Sequence, residues 1–101
     1  MHEYINSEIK KILDEYPELF NNSEGQLAIS YFEHAEWELA MYGITCTLLA
    51  NSPENISWCQ ILKLCEMCKI EADLKGYEKW DLLCKLANDE EYNSRIKQKE
   101  K

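Results

Sequence analysis

Residues Glu3 to Pro17 read EYINSEIKKILDEYP. Ile5, Ile9, Ile12, Leu13 and Tyr16 fall at offsets 0, 4, 7, 8 and 11 along it, the spacing of one helical face. Glu3, Glu8, Lys10, Lys11, Asp14 and Glu15 take the opposite, wet side. Pro17 disfavours helical geometry at the residue before it, so the element closes at Tyr16. The same period recurs downstream, and repeated short amphipathic helices with brief connections predict an antiparallel bundle.

After this helix, Leu19 and Phe20 are expected to pack over its end, and Asn21, Asn22 and Ser23 supply turn and N-cap chemistry. A second helix is predicted from about Glu24 to His34, with Leu27, Ala28, Tyr31, Phe32 and Ala35 on its apolar side. A third follows from about Ala35 to Ala50, with Trp37, Ala40, Met41, Ile44 and Leu48 as its buried stripe. Periodicity leaves open whether a break near His34 separates the two. Gly43 inside the third helix costs about 1 kcal/mol relative to alanine, which a close approach of another helix would rationalise.

Beyond the loop Asn51 to Asn55, Ser57-Trp58-Cys59-Gln60 matches a capping box, Ser57 being the cap and Gln60 reaching back. Trp58, Ile61, Leu62, Cys65 and Cys68 continue an apolar stripe to about Ile70, and a fifth helix is expected from about Tyr77 to Ala87. From Asn88 the chain reads NDEEYNSRIKQKEK, almost without apolar residues, so residues 88–101 are expected to form a frayed or disordered polar tail. The expected fold is all-α: one compact single-domain bundle of about five short amphipathic helices over residues 1–87. Trp37, Ile44, Leu48, Trp58, Leu62, Trp80 and Leu83 are its expected core.

Composition agrees. A chain of 101 residues allows one domain, and 46% hydrophobic with 30% charged residues is a globular mixture. Three glycines, two prolines, two threonines and no valine exclude a many-stranded sheet. Eleven basic residues against nineteen acids leave a net charge of −8, and Arg95 is the one arginine. That balance weighs against nucleic-acid binding, which needs phosphate-neutralising cations. The start of the chain shows no basic segment followed by an apolar run, and Ile44 to Ala50 is too short to span a bilayer. A cytoplasmic protein with reduced thiols is the resulting expectation for its five cysteines.

Two groups invite a chemical reading. Cys65-x-x-Cys68 has metal and redox spacing, but structural zinc needs four ligands, and Cys59 and Cys84 do not form a second pair. Both cysteines of the motif fall on an apolar helical stripe, where small buried hydrophobes are the simpler assignment. Glu33-His34-Ala35-Glu36-Trp37-Glu38 joins acids to a histidine, yet no Glu stands three residues before His34 as a di-iron bundle requires. A helix-junction cap suits His34 better. Phosphate-binding and Gly-x-Ser-x-Gly motifs are missing. No enzyme, cofactor or metal site is expected.

Charge is informative. Residues 1–40 hold nine acids against Lys10 and Lys11, a net −7, while residues 41–76 carry −1 and residues 77–101 are neutral. Tyr4, Tyr16, Phe20, Tyr31, Phe32, Trp37 and Tyr42 interleave with the acids. Such a surface suits a basic protein partner, acids steering the encounter and aromatics anchoring it. It equally suits a solvated face that maintains solubility.

Phe32-Glu33-His34-Ala35-Glu36-Trp37-Glu38-Leu39-Ala40, then Ile56-Ser57 opening a helix that ends in Ile70-Glu71-Ala72-Asp73, resembles small all-helical bacterial immunity proteins. The likeness is to those of polymorphic toxin systems, the MafI type and contact-dependent growth inhibition families, and it covers about residues 30–87. Gly43 and the cysteine-rich fourth helix depart from it. The resemblance implies a cytoplasmic inhibitor that binds a cognate toxin domain 1:1 and covers its active site. Many such toxins are nucleases and therefore basic. The expected toxin-binding residues are Asp14, Glu15, Glu18, Glu33 and Glu36, with no direct contact to nucleic acid or membrane. Compact packing of short helices is expected to bring the two acidic groups together. The alternative role for Glu36 is to complement a helix dipole. The competing readings are a small helical adaptor or regulatory subunit of a cytosolic complex, and a metal or redox module on Cys59, Cys65, Cys68 and Cys84.

Overall fold

The periodic stretch that opens the chain forms helix α1, His2–Glu15, and buries Ile5, Ile9 and Ile12. Pro17 starts a 3-10 turn, Pro17–Phe20, where its fixed φ and missing N–H cost nothing. Helices α2 (Ser23–Glu33), α3 (Trp37–Asn51), α4 (Trp58–Met67) and α5 (Glu78–Lys99) follow. The computed structural model describes residues 2–70 and 78–99, with side chains to Lys97. Among these residues there is no strand, and the architecture is an all-α single-domain bundle. No helix of the described residues is long and apolar enough to cross a membrane.

Contacts between helices set the directions. The His2 ring lies 4.5 Å from that of Trp37, and the Tyr16 hydroxyl donates to the Glu54 carbonyl at 3.1 Å. Helices α1 and α3 therefore run parallel. Helices α2 and α3 form an antiparallel hairpin in which the place of a Gly43 Cβ lies 3.2 Å from the Ala28 Cβ. That close approach is the one expected at Gly43. The Cys59 thiol donates to the Ala87 carbonyl at 3.2 Å, and Ser57 meets Glu90, so α4 and α5 are antiparallel too.

A break does separate α2 from α3. His34 ends α2, and Ala35 takes a left-handed φ of 58°. The Glu36 amide then reaches back to the Tyr31 carbonyl at 2.8 Å, a Schellman closure. Lys69, φ 60°, closes α4 likewise, the Ile70 amide returning to the Cys65 carbonyl at 3.1 Å. Neither closure uses glycine, so each carries the strain of a side chain in left-handed geometry. Helix α4 consequently stops at Met67, short of the expected Ile70.

At the other end of α2, the Asn22 side chain accepts from the Gly25 amide at 2.8 Å, an N-cap as expected. Phe20 is fully buried beneath it. A Cβ on Gly25 would overlap the Phe20 backbone, so this glycine is required by close approach and not by φ.

The core corrects the expected one. Ile44, Leu48 and Leu83 are fully buried, together with Ile9, Phe20, Met41, Ile61, Leu64 and Cys65. Trp37, Trp58, Leu62 and Trp80 are only partly buried and pack against its edge. Indoles are too large for the narrow spaces between short helices, and their N–H needs a partner. The Trp37 Nε1 is buried with no partner among the described residues.

The expected polar tail is also corrected. Residues beyond Asn88 continue α5 to Lys99. An Arg95–Glu91 pair supports this stretch at i, i+4 spacing, and Glu90 ties it to α4. Residues 71–77 and 100–101 lie outside the described residues. They include Glu71, Ala72 and Asp73 of the immunity-like motif and the expected start of the fifth helix at Tyr77.

Candidate protein-binding surface

The five acids singled out from the sequence are all exposed, as carboxylates usually are. Asp14 and Glu15 end α1, and Glu18 lies in the 3-10 turn beside them. Glu33 ends α2 and Glu36 directly precedes α3. Because α1 and α3 are parallel, with His2 against Trp37 at one end and Tyr16 near Glu54 at the other, these groups occupy opposite ends of the bundle. The twelve residues from His2 to Asp14 span about 18 Å of helix. The expectation that packing unites the two acidic groups is thus corrected. The cause is the direction of α1, set by which of its ends receives Trp37.

His34 is explained structurally. Its Nδ1 lies 2.7 Å from the Ser30 carbonyl, so an Nδ1–H donates there at the end of α2. The cysteines are equally bland. Cys65 is buried and shares a 3.2 Å hydrogen bond with the Thr45 hydroxyl. Burial pushes its thiol up from 9.0 to about 12 and that of Cys68 to about 11. Burial also raises Cys59 and Cys84, with nearby carboxylates adding to it. Neutral thiols are poor nucleophiles and poor metal ligands. Among the described residues no group of three or more His, Cys, Asp or Glu side chains comes together to hold a metal ion.

The feature that sequence reasoning missed is a groove of about 900 Å³ between α2 and α3. Leu27 and Tyr31 line it from α2, and Leu39, Tyr42 and Ala50 from α3. Leu27 is 53% exposed, Leu39 49% and Tyr42 38%. The apolar spacing in α2 had suggested that Leu27 and Tyr31 turn inward with Ala28. Ala28 alone of the three is fully buried, because its small side chain sits against Gly43. A signal existed in α3, whose only charged residue is Glu38. A helix apolar on every side has more hydrophobic surface than one core contact consumes.

The groove's lining carries one acid, Glu24, and one base, Lys79. Between Lys11 and Lys63 the chain holds eight acids and no lysine or arginine, so neither α2 nor α3 carries a base. Glu24 lines one end of the groove, whereas Glu36 and Glu38 line a second pocket with His2, Trp37 and Cys68. Lys79 of α5 also reaches the wall. Its ammonium lies 3.5 Å from the Cys46 sulfur and 6.0 Å from the centre of the Tyr42 ring. No known family model matches this chain, nor does any curated protein or solved structure.

Proposed function

We propose that the chain is an immunity protein that binds a basic toxin domain 1:1 in the bacterial cytoplasm and covers its active site. The observation that carries this reading is the uninterrupted acidity of residues 12–62, displayed on exposed positions of α1, α2 and α3. A nuclease domain must be basic where it meets phosphate, and an acidic partner competes for that same surface. Asp14, Glu15 and Glu18 at one end, with Glu33 and Glu36 at the other, are the proposed toxin contacts. A standard interface of about 800 Å² per partner is about 30 Å across, wide enough for one partner to reach both ends.

The test is protection. Bacteria expressing a basic C-terminal toxin domain encoded immediately upstream of this chain should survive when the chain is co-expressed. The purified pair should elute as a 1:1 complex. Killing that proceeds unchanged overturns the reading. Stable incorporation into a larger cytosolic assembly without protection would instead favour a helical adaptor.

A further inference from the structure

We infer that Cys46 and Lys79 form an acyl-accepting pair, in which the thiol takes an acyl group from an acyl thioester and passes it to the lysine amine. This activity is independent of toxin binding. Cys46, half-buried on α3, and Lys79, exposed in the first turn of α5, both line the open groove. The Lys79 Nζ donates to the Cys46 Sγ at 3.5 Å, and the Tyr42 ring, 6.0 Å from the ammonium, gives it a second contact. Thiol and amine thus share one wall that a small molecule can reach.

The other four cysteines are placed differently. Cys65 and Cys68 are buried. The Cys59 thiol is engaged by the Ala87 carbonyl, and carboxylates of Asp81 and Glu66 act on Cys84. Among the described residues, Cys46–Lys79 is the one hydrogen bond that joins a cysteine to a lysine.

The transfer runs in two steps. The Cys46 sulfur attacks the carbonyl carbon of the donor thioester. A new carbon–sulfur bond forms, the donor's carbon–sulfur bond breaks, and the thiol proton leaves with the departing sulfur. The Lys79 nitrogen, one proton released to water, then attacks the same carbonyl carbon. An amide bond forms, the Cys46 thioester breaks, and a second proton from nitrogen restores the Cys46 thiol. A covalent intermediate on a strongly nucleophilic sulfur divides a slow aminolysis into two easier exchanges. The second exchange is intramolecular, between groups already at near-attack separation. Acylation removes the positive charge of Lys79 and leaves Glu24 as the one charged side chain lining the groove.

The probe is acetyl-coenzyme A, incubated with the full chain at neutral pH and followed by peptide mass mapping. Lys79 should be acetylated at least about tenfold faster than Lys10 or Lys11, which lie on the far exposed side of α1. That ranking within the parent chain needs no variant. Cys46→Ser should bring Lys79 down to the rate of those lysines, with the helical spectrum unchanged. Lys79→Arg keeps the charge but cannot accept the acyl group, so it should collect a thioester on Cys46 that neutral hydroxylamine removes. Acetylation of Lys79 no faster than that of Lys10 overturns the pair. So does an unchanged Lys79 rate in Cys46→Ser, which would mean direct aminolysis, and so does Lys79→Arg that holds no thioester on Cys46.

Discussion

Glu90 caps a helix whose N-cap residue, Ser57, lies 33 residues before it, its carboxylate accepting the Ser57 hydroxyl at 2.8 Å. The second oxygen of the same carboxylate accepts the Trp58 amide. Ser57 meanwhile accepts from the Gln60 amide at 3.2 Å, the local half of the expected capping box. Gln60 does not complete the box. Its side chain donates to the Tyr4 hydroxyl at 2.9 Å instead. A negative charge from α5 thus satisfies the start of α4 and complements its dipole.

Removing that charge should loosen α4. Glu90→Ala is expected to cost about 1–2 kcal/mol, as loss of a helix cap does. For a domain of about 100 residues, that lowers the melting temperature by about 5–10 °C. Truncation after Asn88 should cost at least as much. A truncated chain that melts with the parent would show residues beyond Asn88 to be dispensable for the fold.

Gly25 and Gly43, both within helices, should respond differently to alanine. Gly25→Ala drives a Cβ into the backbone of Phe20, which is fully buried and cannot yield cheaply. A loss of about 3 kcal/mol is expected. Gly43→Ala meets only the Ala28 Cβ at 3.2 Å. It also gains about 1 kcal/mol of helix propensity, so its net effect should be under about 1 kcal/mol. Urea unfolding midpoints rank the pair, and equal midpoints would contradict the packing at Phe20.

Stability should fall in alkali. The unfolded thiols of Cys65 and Cys68 lose their protons around pH 9.0, whereas the buried ones hold theirs to about 12 and 11. The folded state therefore binds more protons above pH 9, and its stability, complete below that pH, drains away towards pH 11–12. The slope for each thiol is on the order of 1 kcal/mol per pH unit in that window. Chemical denaturation at pH 8, 9 and 10 measures it. Cys65→Ala with Cys68→Ala should flatten the dependence, and an unchanged slope would assign it to other groups.

Charge reversal tests the proposed contacts end by end. Asp14→Lys with Glu15→Lys and, separately, Glu33→Lys with Glu36→Lys should leave the fold within about 0.5 kcal/mol of the parent. Each pair should slow association with the toxin at low salt and reduce its salt dependence. The groups lie about 18 Å apart along α1, so the two effects should be additive in the logarithm of the on-rate. An on-rate equal to the parent's for either pair removes that end from the interface.

Much of this fold could be read locally. The three isoleucines of α1, the stop at Pro17, the Asn22 cap and the Ser57 cap all follow from residues within one or two turns. Periodicity and capping are short-range physics, and the sequence displays them directly. The break after α2 and the end of α4 were illegible because Ala35 and Lys69 take left-handed geometry where a glycine would have signalled each. The outward turn of Leu27 was illegible because Ala28, one residue on, fits the Gly43 surface better.

The sequence alone determined an all-α bundle and the acidity of its first half, since helix period and charge are properties of neighbouring residues. Only the tertiary structure decided that Asp14 and Glu33 lie at opposite ends, that Glu90 caps α4, and that α2 and α3 leave an apolar groove open. Those outcomes depend on which helix faces meet. That choice is made by fitting Trp37 against His2 and Ala28 against Gly43, contacts between residues too far apart in the chain for any local pattern to record.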